Sequence, residues 1–183
     1  LKKLVIPLLI FSTLVTLTSL AHAYEKRTIR ASGLIGQVGL LGDPGNGGAN
    51  GLGLAGALGF QVTEPLAFEI RYLGSLHSDV DHRDLSVGAE YNLADFESGT
   101  PHLQAGMSFI HNAFKTGAVG ADAAGLYLGA GLDFELAKSL QIGPEVRVVK
   151  AFSTHGLVNG RDITTVGDEY SVMIRFSYLF END

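Results

Sequence analysis

Between residues 171 and 180 the chain reads SVMIRFSYLF: Val172, Ile174, Phe176, Tyr178 and Phe180 are apolar, and Ser171, Arg175 and Ser177 between them are polar. A period of two marks a β-strand whose two faces meet different surroundings. The same alternation predicts eight strands, over about 28–41, 51–63, 66–76, 83–93, 101–112, 121–136, 139–152 and 168–180. In the third, Leu66, Phe68, Ile70 and Tyr72 share a face and enclose Glu69 and Arg71. In the fourth, Leu85, Val87, Ala89 and Tyr91 stand opposite Asp84, Ser86 and Glu90. The sixth sets Leu126, Leu128, Leu132 and Phe134 against Tyr127, Asp133 and Glu135, and the seventh sets Leu140, Ile142, Val146 and Val148 against Glu145 and Arg147. Only the first is ambiguous, because Gly33 to Gly36 admits either register.

The connections sort by length. Those after strands two, four and six are short to moderate (Glu64-Pro65, 94–100, Ala137-Lys138), and those after strands one and seven are long (42–50 and 153–167). Short turns at one end and long loops at the other are the habit of an up-and-down membrane barrel. The polar faces are rich in Gly, Ser and Gln with a few acids and matching Arg, and almost free of Lys. That set suits the crowded inside of an eight-stranded barrel better than a solvated outer surface. The pattern therefore predicts an all-β, eight-stranded antiparallel transmembrane barrel with its apolar faces toward lipid. A lipocalin-like barrel, with the apolar faces inward, is the rival arrangement.

Composition narrows the class. Charged residues make up 17% of the chain, below the roughly 25% of ordinary globular proteins. A net charge of −6 argues against nucleic-acid binding, and the lack of cysteine removes disulfides and thiolate metal sites. Residues 1–23 read as a cleaved secretory signal: Lys2 and Lys3, an apolar run to Leu20, then Ala21 and Ala23 at the cleavage positions. The barrel domain is then 24–183, and no later stretch is apolar enough for a membrane helix.

The pieces EPLAFEIRYL, LSVGAEYNL, PHLQAGMSF, GLYLGAGLDFELAKSLQIGPEVR and YSVMIRFSYLF resemble the OmpA-like small outer-membrane β-barrel family, barrel domain only. The resemblance covers essentially all of 24–183. It implies placement in the outer membrane, contact with outer-membrane lipid and lipopolysaccharide, a monomeric barrel and no cofactor. It also implies that Phe180, with Tyr178, Phe176, Ile174 and Val172 before it, is the signal read by the barrel-assembly machinery. The fold by itself does not fix a role, since it hosts anchors, adhesins and enzymes.

Four patterns are candidates for chemistry. Glu69, Arg71, Glu90, Asp133, Glu135, Glu145, Arg147 and Arg175 fall on the inward register and should form a connected network, because unpaired buried charges are costly. In the resembled family such a network plugs the lumen; a narrow gated ion pore is the alternative. His77, Asp79, Asp81, His82 and Asp84 cluster in HSDVDHRD, expected as a solvated acidic loop, with divalent-cation binding as the sharper reading. Ser153 and His155 could serve a lipid A hydrolase, a class that includes eight-stranded barrels, but no acid is evidently placed to orient the histidine. The glycine-rich 42–56 lacks the lysine and helix of a phosphate loop. The expectation is a non-enzymatic barrel with a structural or surface-contact role.

Overall fold

The computed structural model describes residues 28–41, 50–78, 80–93, 96, 99–115, 120–152, 155–158, 161–164 and 168–181. Eight long strands form the wall: β1 Thr28–Leu41, β2 Asn50–Gln61, β3 Leu66–Leu76, β4 Val80–Asn92, β5 Thr100–Phe114, β6 Gly120–Ala137, β7 Leu140–Ala151 and β10 Asp168–Glu181. Between β7 and β10 lie two short strands, β8 His155–Val158 and β9 Arg161–Thr164. Each long strand pairs antiparallel with its chain neighbours, and β1 pairs with β10 from Thr28↔Glu181 to Leu41↔Asp168, closing the barrel. Closure leaves no open edge, so each strand finds backbone partners on both sides without water.

The alternation faces as expected. Val172, Ile174, Phe176, Tyr178 and Phe180 all point outward and are exposed, while Ser171, Arg175 and Ser177 point inward and are buried. The ambiguous first strand resolves with Ile29, Ile35 and Leu41 outward and Arg30, Leu34 and Val38 inward. At its loop end the ring of Tyr170 lies over Gly39, where a Cβ would come within 2.1 Å of it. The Tyr170 hydroxyl donates to Asn50 Oδ1 at 2.6 Å. An aromatic body with a polar tip suits the membrane boundary.

Three expectations need correction. The stretch 153–167, read as a long loop, contains the β8–β9 hairpin, paired from His155↔Thr164 to Val158↔Arg161. Its connecting pair in the sequence, Asn159-Gly160, is the strongest short hairpin signal, and the period-two reading passed over it. Strand β4 begins at Val80 rather than 83, which carries His82 out of the expected acidic loop and into the wall, where it is buried on the inner side beside Asp84. The interior is also not uniformly polar. Leu34, Val38, Ala57, Leu73 and Met173 form one apolar cluster inside the barrel, and Ile110, Ala123, Tyr127 and Val149 another.

Candidate functional site

The charge network is built from alternate residues of seven strands. Arg175 on β10 stands at its centre. Its Nη1 donates to Glu90 Oε2 at 2.7 Å and lies 3.3 Å from Glu145 Oε2. Its Nη2 donates to Asp133 Oδ2, and its Nε to Asp133 Oδ1 at 3.2 Å. Arg30 on β1 grips Glu90 with both terminal nitrogens, at 2.5 and 2.7 Å, and reaches Glu69 at 3.0 Å. Arg71 on β3 forks onto Glu145 at 2.5 and 3.0 Å and onto Glu69 at 2.9 Å. Gln104 on β5 donates to both Glu90 and Glu145 at 3.0 Å. Arg30–Glu90, Arg71–Glu145 and Arg175–Glu90 join strands that are not neighbours in the sheet, so these bonds cross-brace the barrel. Planar guanidiniums gripping carboxylates with two nitrogens are among the stronger pairings a protein interior offers.

Two further groups lie nearer the long-loop end. Arg147 on β7 donates to Asp84 at 3.0 Å and Ser86 at 2.9 Å, and its guanidinium sits 3.8 Å over the Tyr127 ring. Ser108 completes that group by donating to Asp84. Beyond it, His82 presents Nε2 to Glu169 at 2.8 Å and Nδ1 to Asn112 Oδ1 at 2.7 Å.

Seven of the eight sequence-identified charges are buried in this assembly: Glu69, Arg71, Glu90, Asp133, Glu145, Arg147 and Arg175. Glu135 is the exception and is exposed. It pairs with Gln141 in the same register as the rest of β6, one step before the register slips between Glu135 and Ala137, and at that short-turn end its side chain is exposed. The buried polar interior also holds residues that sequence reasoning did not assign to the network: Arg30, whose strand was ambiguous; Asp84 and His82, singled out only as a candidate cation cluster; and Glu169, His102 and Gln104. Strand parity alone would have found the last three.

Glu90, His102 and Asp133 bring donor atoms within 4.8 Å of one another, a spacing a metal ion could accept. Arg175 and Arg30 already hold those carboxylates with their own positive charge, so the chemistry here is that of an ion-paired core. At the short-turn end the network opens into a polar vestibule of about 190 Å³, lined by Arg30, Glu90, Asp133, Gln61, Asn92 and Gln141 among others. The candidate hydrolase pair, Ser153 and His155, lies outside the described residues except for the His155 backbone. So do Asp79, Ala21 and Ala23.

Comparison with known proteins places this architecture. Residues 8–177 match the family described as outer membrane protein beta-barrel domain. Among solved structures, the chain is similar to Neisserial surface protein A, at 14% identity and TM-score 0.63, over 86% of this chain and all of that one. It is similar to the N-terminal β-barrel domain of Pseudomonas aeruginosa OprF, at 14% identity and TM-score 0.59, over 87% of this chain and all of that one. OprG of the same organism aligns at 12% identity and TM-score 0.54, over 87% of this chain and 98% of its own. No curated protein matches the sequence.

Proposed function

The chain belongs to the outer membrane protein beta-barrel domain family, and from that premise we propose that it is a non-conducting scaffold of the outer membrane whose long loops make surface contacts. The observation that carries this reading is the Arg175-centred network, which fills the lumen with cross-barrel ion pairs beside two apolar clusters. Water and ions would have to separate several buried pairs at once to pass, at a cost of several kcal/mol for each charge left unpaired. The β8–β9 hairpin supports the second half of the proposal, since it gives the last loop an ordered backbone to present.

Planar-bilayer recording on refolded protein tests the first half: a flat baseline is expected, and discrete steps would replace the scaffold with the gated pore. Export in this reading uses residues 1–23, and N-terminal sequencing of the mature protein should begin at Tyr24. Assembly uses the outward set ending at Phe180, so Phe180→Ala should lower the folded fraction in cells while refolding in detergent stays near normal.

A further inference from the structure

Among the described residues, the central network is one cation short. Arg30, Arg71 and Arg175 face the four carboxylates of Glu69, Glu90, Asp133 and Glu145 through a connected set of ion pairs. All of these side chains are buried. His102 adds no charge, since its Nε2 accepts from Arg175 Nη2 at 3.0 Å. Arg147 does not make up the difference either, because Asp84 already takes it. A carboxylate held away from water without a counter-charge is costly, so the surplus calls for a fourth cation.

The short-turn end is where a cation has access. The vestibule reaches Glu90 and Asp133 from that side. Glu64 also lines it, exposed and, among the described residues, in no ion pair. The vestibule holds an unanswered donor as well. Arg30 is only 9% exposed, and its Nε meets no acceptor among the described residues. That nitrogen lies 3.4 Å from where a Cβ on Gly59 would stand, and Gly59 too lines the vestibule. An occupant that answers both needs carries a cation for the acids and an acceptor for Arg30. A metal ion has no acceptor to offer. A lysine within a peptide has both, in its ammonium and its backbone carbonyl.

Such a lysine is close by in the chain. Thr28 lines the vestibule, and Thr28 and Arg30 share the inward face of β1 while Ile29 points outward. Lys26 precedes the described residues, and the period of two carried back along the sequence gives it the inward face and Arg27 the outward one. Two positions of extended chain span about 7 Å, a gap that the long stem of a lysine bridges. We propose that the vestibule is a site for a primary ammonium and that Lys26 of this chain supplies it, closing the network from the short-turn end. The site deepens the reading of a closed lumen and involves none of the long loops. Lys138, the other lysine near that end, lies in the β6–β7 turn and does not line the vestibule.

The test is urea titration of the chain from Tyr24 to Asp183, refolded in detergent, with the chlorides of n-butylammonium and tetramethylammonium as probes. Lys26→Ala should lower the unfolding midpoint, while Arg27→Ala and Lys138→Ala leave it at the wild-type value. n-Butylammonium is a lysine side chain without its backbone. It should restore the midpoint of Lys26→Ala and leave wild type unmoved. It should act at about tenfold lower concentration than tetramethylammonium, which has no N–H to donate; that factor is the scale of one charge-assisted contact. Adding Glu64→Gln to Lys26→Ala should weaken the rescue. A wild-type midpoint in Lys26→Ala, with no response to either probe, would overturn the site. Equal rescue by the two probes would also overturn it, by reducing the effect to ionic strength. Equal stabilisation of wild type and Lys26→Ala by n-butylammonium would overturn Lys26 as the source and give the vestibule to a free amine. Bilayer recording of wild type judges the closed lumen separately: discrete steps sink that reading, and a flat baseline without an amine response sinks only this one.

Discussion

At the scale of single residues, the interior of this barrel is a set of obligations. Arg175 is fully buried and serves Glu90, Asp133 and Glu145 at once. Arg175→Met would strand those carboxylates without their central cation, and removal of one partner from a buried pair costs about 3–5 kcal/mol. A matching fall in unfolding free energy is expected from urea titration of the refolded protein. Glu135→Gln is the control: its side chain is exposed, so the change should stay within about 0.5 kcal/mol. Had Glu135 belonged to the network, the two variants would unfold alike. Glu69, Glu90, Glu145 and Arg175 are buried on the face that parity gives them, each beside an exposed outward neighbour: Phe68, Tyr91, Val146 and Ile174. Glu135 differs because it lies at the short-turn end of β6, next to the Ala137-Lys138 turn, where its side chain is exposed; parity gives a face and not a depth.

At the scale of elements, β7 shows how the wall accommodates a residue that should not be there. Pro144 has no N–H to give, and β6–β7 pairing is interrupted between Gly131↔Glu145 and Phe134↔Ile142. The neighbouring Gly143 packs so tightly against β6 that an added Cβ would stand 1.6 Å from the Leu132 carbonyl oxygen. Gly143→Ala should therefore lower the refolding yield sharply, judged by the fraction that shifts on an unheated gel. Gly33→Ala places its Cβ in open space on the outer wall and should fold as wild type does. If Gly143→Ala refolds equally well, the close approach of β6 and β7 is wrong. The strand that began earlier than expected makes a related point. His82 looks like a loop residue in a window of charges, yet pairing with Ser75 on one side and Asn112 on the other carries it into the wall.

At the scale of the whole molecule, the solvent decides the facing. Ile174 lies in the middle of the outward row of β10, flanked along the strand by Val172 and Phe176. Ile174→Arg puts a charge into hydrocarbon at about 2–4 kcal/mol near the midplane. It should impair insertion into lipid vesicles while Ile174→Leu does not, measured by protease protection and by the gel shift. Equal insertion of the two variants would mean that this face does not meet lipid.

The sequence by itself determined the class of fold, the number of wall strands, the sorting of loops and the facing of most side chains. Each of these follows from a local period of two repeated between turn residues, and the period is written in the chain. Tertiary structure alone decided who partners whom across the lumen. Arg30 finds Glu90 from sixty positions away, and Ser32 meets Ser177 because β1 closes on β10. It also decided where apolar side chains fill the interior: Leu34, Leu73 and Met173 meet only after closure, since three different strands supply them. Which inward residues touch depends on the register and curvature of the closed sheet, and neither is visible in any one strand.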